Sequence, residues 1–385
     1  MSSKTTRWEA LTTHFSSLED PRIDRRREHD LLDILGLTIV AVICGADDWV
    51  GIETFGKARI DFLRQFLNLA NGIPSHDTLG RLYKALCPKS LEKCFSSWIQ
   101  AICDLAEGEV VAIDGKCLRG SHERQGGKAA IYMVNAWASQ NGLCLGQVKV
   151  NEKSNEITAI PELLDLLDLS GCIVTIDAMG TQKHIAQKII DKKADYLLSL
   201  KQNHGALYDE VQATFKHLSD TRFTQRDDTW DKGHGRIESR VCYAVDLLAD
   251  DFDWILSEDL NQWPELSSIT LVQSVRYLQD GRIEKQERYF LSSLKLSECS
   301  AADINQAVRA HWAVENQLHW TLDVAFREDH SRVRKGNADQ NFAIIRRLAL
   351  GLIKKDAKSK VGVQNRRMKA AWDQKYLMRV LQSKF

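Results

Sequence analysis

Two apolar runs in this chain end in an aspartate. One reads Val110-Val111-Ala112-Ile113-Asp114-Gly115-Lys116, the other Ile173-Val174-Thr175-Ile176-Asp177-Ala178. Each run has the length and β-branched content of a buried strand. In open α/β sheets, functional groups collect just past the strand ends. Gly115 and Ala178 are small enough to let a ligand approach. Two carboxylates on neighbouring strands suit an oxygen-seeking divalent ion such as Mg²⁺. Taken singly, each aspartate reads equally well as a turn former or helix cap.

A third acid lies in the segment HWAVENQLHW, His311 to Trp320. Helical spacing puts Val308, His311, Trp312, Glu315, Leu318, His319 and Leu322 on one stripe. That stripe predicts a Glu315 facing the core, where an unpartnered carboxylate is costly. Three readings follow. Packed on the sheet, the helix brings Glu315 to Asp114 and Asp177. Three carboxylates can hold two divalent ions ~3.5–4 Å apart, which drives in-line attack at a phosphodiester. Alternatively, His-x-x-x-Glu-x-x-x-His is a one-helix site for zinc or iron, although its ligands spread over ~12 Å of axis. In the third reading Glu315 is simply bonded to His311 or His319.

The elements that must position these groups follow from periodicity. Residues 1–105 read as helices. Among them, GIPSHDTLGRLYKAL offers Ser75 or Asp77 as an N-cap before a short helix carrying Arg81 and Lys84. It suits either a DNA-reading helix or ordinary packing. The run DPRIDRRREHD holds Arg22, Arg25, Arg26 and Arg27, for phosphate contact or a solvated loop. From residue 109 to 201 the order reads β-β-β-α-β-α-β, with a hairpin at Asn141-Gly142 and Pro161 kinking or starting a helix. This makes an α/β core with a mixed sheet. Residues 205–300 are β-rich, and their Trp230, Trp254 and Trp263 read as packing residues before base-stacking ones. Helices return after Ser300. The expected units are therefore a helical domain at 1–105, a core at 106–204, a β-rich insertion at 205–300 and a helical completion at 301–385.

Bulk composition agrees with a folded chain: 385 residues, 44% hydrophobic and five prolines. The nine cysteines form no Cys-x-x-Cys pair, which argues against zinc ribbons and fits reduced thiols in the cytoplasm. The uncharged apolar run from Ile34 to Ala46 has 13 residues, too short for a bilayer that needs ~20. No membrane partner is expected. The zero net charge hides an asymmetry. Residues 331–385 hold 15 Lys and Arg against 3 Asp and Glu, and residues 1–330 hold 37 against 49. A basic tail with apolar spacing at Phe342, Ile345, Leu348 and Leu352 predicts an ordered basic helix and a polyanion partner.

Several motifs in order carry a resemblance over residues ~20–380: AIDGKCLRGS, IDAMGTQ, LLSLKQNH, GHGRIESR and HWAVENQLHWTLDVAFREDHSRVRKGNADQNFAIIRRLALGLIK. They resemble bacterial insertion-sequence transposases of the DDE type, the H-repeat-associated group in particular. GIPSHDTLGRLY and DPRIDRRREHDLLDIL are similar to that group's helical N-terminal region. The resemblance implies an RNase H-like core with a β-rich insertion before the last catalytic helix. It implies Asp114, Asp177 and Glu315 as catalytic metal ligands for Mg²⁺ or Mn²⁺. It also implies double-stranded DNA, at element ends and target, as partner. Joining two ends makes a homodimer a further expectation. Related groups carry a tyrosine and an arginine before the glutamate and a lysine after it. Here those positions read Val308, His311 and Leu322. The active-site cation must then come from elsewhere, with Lys201, Arg309 and Arg332 as candidates. Arg81, Lys84, Arg334 and Lys335 complete the expected DNA contacts. A nuclease on the same fold, or a silent DNA-binding copy, would carry the same signature.

Overall fold

The computed structural model describes residues 7–122, 129–150, 155–218, 224–233, 236–249 and 258–382. Six helices come first: α1 (Arg7–Phe15), α2 (Leu31–Ile43), α3 (Trp49–Ala58), α4 (Ile60–Leu63), α5 (His76–Ala85) and α6 (Pro88–Ile102). Asp30 caps α2 by accepting from the Leu32 and Asp33 amides, and nearly every α2 residue is buried. Ser75 caps α5 through the Thr78 amide. Among the described residues no helix is long and apolar enough to cross a membrane.

The core then runs β1 (Val110–Leu118), β2 (Ile131–Ala138), β3 (Leu143–Lys149), α7 (Glu156–Asp165), β4 (Ile173–Ile176), α8 (Lys183–Asp191) and β5 (Asp195–Leu200). Gly142, at φ +65°, makes the β2–β3 turn. Next come α9 (Gly205–Leu218), β6 (Thr224–Gly233), β7 (Arg236–Asp246), α10 (Glu258–Asn261), β8 (Ser268–Tyr277) and β9 (Ile283–Ser292). All nine strands join one sheet in the order β3-β2-β1-β4-β5-β9-β8-β7-β6. Strands β1, β4 and β5 are parallel, and the remaining pairings are antiparallel. The first five strands form the RNase H-like mixed sheet. The β-rich insertion continues that sheet across β5, rather than standing apart from it.

The chain closes with α11 (Ala301–His311), α12 (Trp320–Phe326), α13 (Ala338–Lys354), α14 (Val363–Trp372) and α15 (Gln374–Gln382). Here the structure departs from the sequence reading. Helix α13 packs among α2, α6 and β3 and is buried along almost its whole length. Arg346, Arg347 and Arg367 of the basic tail therefore sit in the interior. Arg347 donates to Glu328 at 2.9 Å and to Asn135 at 2.7 Å, and Arg367 pairs with Asp47 at 3.0 Å. A net charge counted along sequence does not separate such paired, buried cations from exposed ones.

Candidate active site

The parallel register of β1 on β4 runs from Val110–Ile173 to Ile113–Ile176 and stops there. Asp114 and Asp177 are the next residues on the two strands, which lie about 4.8 Å apart. Asp114 is not at a strand end as expected. It lies mid-strand, because β1 continues against β2 with Asp114 opposite Asn135. The loss of the parallel neighbour, rather than the end of the strand, opens space there. Asp177 starts a short turn, and its Oδ1 accepts from the Met179 amide at 3.1 Å.

The helical stripe predicted around Glu315 is broken. Between α11 and α12, residues Val314–His319 form a turn of π-helix, whose wider winding rotates the following side chains. Trp312 and Trp320 are 47% and 62% exposed, so they do not pack the helix. Glu315 is itself largely exposed, with its carboxylate turned toward the strands. His319 is buried and its Nδ1 lies 3.0 Å from Glu315 Oε2 and 3.4 Å from Asp114 Oδ2. Ligand atoms of Asp114, Glu315 and His319 all lie within 4.8 Å of one another. His311 turns elsewhere, meeting Thr175 Oγ1 at 2.9 Å, and burial pushes its imidazole down to about 4. Features of two earlier readings thus coexist: Glu315 joins the acid group and is also bonded to His319.

Asp114 is strongly perturbed. Burial raises it to about 7, helped by the like charges of Glu156, Asp177 and Glu315. Glu315 is held below its ordinary range, chiefly by its hydrogen bond to His319. The Nε2 of His319 is buried without a hydrogen-bond partner. A cluster of acids with a converging carboxylate–carboxylate–imidazole set has the donor chemistry of a divalent-metal site.

Two contributors escaped the sequence reading. Glu156 opens α7, capped by Asn155, and burial with the charge of Asp177 raises its carboxyl. It sits over Gly115, where any Cβ would collide with the Glu156 carboxylate and the Tyr132 ring. The signal was an acid in the first turn after an Asn cap. Lys116, two residues past Asp114, is buried and places Nζ 2.7 Å from both carboxylate oxygens of Asp323 on α12. It lies 3.7 Å from Asp329 and so ties the strand to the helix behind Glu315.

The cations expected to meet DNA fall in three places. Arg81 and Lys84 of α5 line a cleft of about 740 Å³ with Arg327, Arg332, Arg334 and Lys335. Gly336, at φ +57°, lies against Lys84, where an added Cβ would come within 2.6 Å of the Lys84 Cγ and 3.0 Å of its carbonyl oxygen. The amide of Asn337 donates to Lys84 O at 3.2 Å. Arg334 donates to the His122 carbonyl at 2.6 Å. Lys201 lies instead in a second groove with Asp177. Arg309 faces a third, where it pairs with Asp231 at 2.6 Å. In the insertion, Trp230 is 69% exposed and Trp263 is buried, while Trp254 and part of the GHGRIESR motif lie outside the described residues.

Comparison with known proteins matches residues 106–352 to the family model described as a transposase DDE domain, and residues 12–99 to one described as DDE_Tnp_1-associated. The chain is 40% identical to the "Putative transposase YncI" of Escherichia coli O157:H7, over 97% of this chain and 95% of that one. It is 39% identical to the "H repeat-associated putative transposase YhhI" of Escherichia coli K12, over 96% and 97%. A shorter relative from the same strain, named "Inactive transposase YbfQ", is 49% identical over 19% of this chain and 86% of its own length. A piggyBac transposase synaptic complex with hairpin DNA aligns at TM-score 0.41 and 12% identity, over 98% of this chain and 76% of that one.

Proposed function

Because the chain belongs to the DDE transposase family, we propose that it cleaves DNA at the ends of a mobile element and joins the freed 3′-hydroxyl to target DNA. The observation that carries this reading is the convergence of Asp114, Glu315 and His319, with Asp177 outside that set but close enough for its charge to help raise Asp114. Asp114, Asp177 and Glu315 would hold Mg²⁺ or Mn²⁺, with His319 as a positioning neighbour. When bound, such ions supply activation of the attacking water or 3′-hydroxyl and stabilise charge at the phosphorus. The protein's own part is placement. Strands β1 and β4 fix two carboxylates, and the Lys116–Asp323 pair holds the helix that presents the third. The cleft lined by Arg81, Lys84, Arg332, Arg334 and Lys335 binds duplex backbone through phosphates. Nine cysteines with no disulfide among the described residues suit the reducing cytoplasm. Joining two ends calls for two copies, hence a homodimer on DNA.

The test is cleavage and strand transfer on duplexes carrying the element ends, with Mg²⁺. Asp177→Ala should abolish cleavage and leave duplex binding nearly intact. Loss of both together would sink the ligand assignment. Cutting without joining would support a nuclease on this fold. One observation favours the silent reading: Glu315 and Asp177 each already spend an oxygen on a hydrogen bond within the protein. Absence of both metal binding and cleavage in the wild-type chain would decide for it.

A further inference from the structure

A phosphodiester entering a pocket of at least four carboxylates meets repulsion that cations of the protein beside the acids would lessen, in addition to any bound metal. The cations of the α5 cleft belong to another groove, and Arg309 is paired with Asp231. The groove that contains Asp177 has a volume of about 670 Å³ and is lined also by Met179, Lys201, Tyr208, Arg288 and Glu287, whose carboxylate accepts from Gln273 and Tyr289. Arg288 comes from β9 of the insertion, opposite Val272 of β8. Its guanidinium lies over the Trp312 ring, 5.3 Å from the centroid, which holds the planar fork beside the α11 end. The Nε is buried with no hydrogen-bond partner, and Arg288 forms no ion pair with any described residue. Two neighbours on the same face differ. Arg240 and Arg276 share the single carboxylate of Glu238, at 2.7 and 3.4 Å. His311, bonded to Thr175 beneath α11, is pushed down to about 4 by burial and adds no positive charge near neutral pH.

We propose that Arg288, with Lys201 across the groove, clamps a DNA phosphate beside Asp177. This rests on the transposase reading, and it assigns to the insertion a direct part in holding substrate at the acids. Arg288 is the fork that can take two phosphate oxygens at once, and Trp312 is the surface that orients it. Lys201 is exposed and adds a point charge. The insertion then does more than enlarge the sheet, since it supplies a cation that no core strand carries at this groove.

The experiment measures affinity for a short duplex with a free 3′-hydroxyl as a function of salt, in Ca²⁺, so that binding is read without cleavage. Arg288→Ala should weaken binding about tenfold and flatten the log–log salt slope by about one unit. Arg288→Lys should restore the slope and only part of the affinity, because it keeps the charge and loses the fork. Lys201→Ala, at an exposed position, should also flatten the slope by about one. Arg309→Ala should leave it unchanged. An Arg288→Ala protein that melts earlier but keeps the wild-type slope would overturn the proposal, since a packing role changes stability and not counterion release. A Lys201→Ala slope equal to wild type would remove the clamp as well. Failure of the wild-type chain to cleave in Mg²⁺ would count against the transposase reading, and the slopes would still decide this one.

Discussion

The pocket at Asp114 and the cleft at Lys84 carry opposite charge and are built in different ways. In the pocket the groups are set by backbone: the end of a parallel register, a capped helix start and one π-turn. Asp114, Asp177 and Glu156 are partly or wholly withdrawn from water while Glu315 is exposed, and burial beside like charges raises Asp114 to about 7. In the cleft, Arg81, Lys84, Arg332 and Lys335 are exposed and are placed by a loop bonded to the end of α5. Asn341 secures that loop by donating to the carbonyls of Tyr83 and Leu86 at 2.8 and 2.9 Å. Exposed charges are screened and act by their sum, whereas buried ones act one by one. A single substitution should therefore be decisive in the pocket and merely graded in the cleft.

The sharpest way to break that contrast is Asp114→Asn. Cleavage of element-end duplexes should fall by about a thousandfold or more, while duplex affinity stays within about twofold, since Asn keeps the shape and removes a metal-binding charge. A single cleft substitution with an equal effect on cleavage would erase the distinction. Next in size is the combined change Lys84→Ala, Arg332→Ala and Lys335→Ala. Removing three phosphate contacts should reduce the salt slope of DNA binding by about three and weaken binding by about a hundredfold at moderate salt. Any one of them alone should cost only about three- to tenfold.

Glu156→Gln tests how far the pocket extends beyond the three expected ligands. Its carboxylate leans over Gly115 toward Asp114 and shares the repulsion with Asp177. Supporting groups of this kind typically change metal affinity or activity by about 10–100-fold. The metal concentration for half-maximal cleavage should shift on that scale. An unchanged metal titration would confine Glu156 to a structural place in the first turn of α7.

What the sequence made legible follows the same division. The strands bearing Asp114 and Asp177 were readable because four-residue β-branched runs announce themselves locally. That Glu315 meets Asp114 was readable as one of three alternatives, but its exposure was not. Period-3.6 reasoning assumes an unbroken helix, and the π-turn at Val314–His319 resets the phase. Glu156 was missed because its importance arises only when α7 packs over Gly115. The basic tail was overread for a related reason: Arg346, Arg347 and Arg367 count as charge in sequence but are consumed by Glu328, Asn135 and Asp47 in the fold. Arg288 gave no local signal, since it lies in the insertion, far in sequence from Asp177, and reaches its groove only through the β5–β9 pairing.

The smallest expected effect concerns the stability of the metal-free protein. Asp114 has its folded pKa raised to about 7, above its unfolded value of 3.8. Between those two values the folded state binds more protons than the unfolded state. Stability therefore falls as pH rises through this window, and the cost is complete above about pH 7. Glu92, buried on α6 and raised to about 8, contributes with the same sign, as do the raised Glu156 and Asp323, so the wild-type trend belongs to all of them. Asp114→Asn separates them. Metal-free Asp114→Asn should be more stable than wild type by about 1–2 kcal/mol at pH 8, and by little at pH 5. Added Mg²⁺ should stabilise wild type at pH 8 and leave the variant unmoved, because the cation binds the ionised form. Urea unfolding at the two pH values, with and without Mg²⁺, reads all four cases. An Asp114→Asn protein that is no more stable than wild type at pH 8 would mean that the acids relieve their repulsion by moving apart, and that the pocket does not hold a site waiting for a cation.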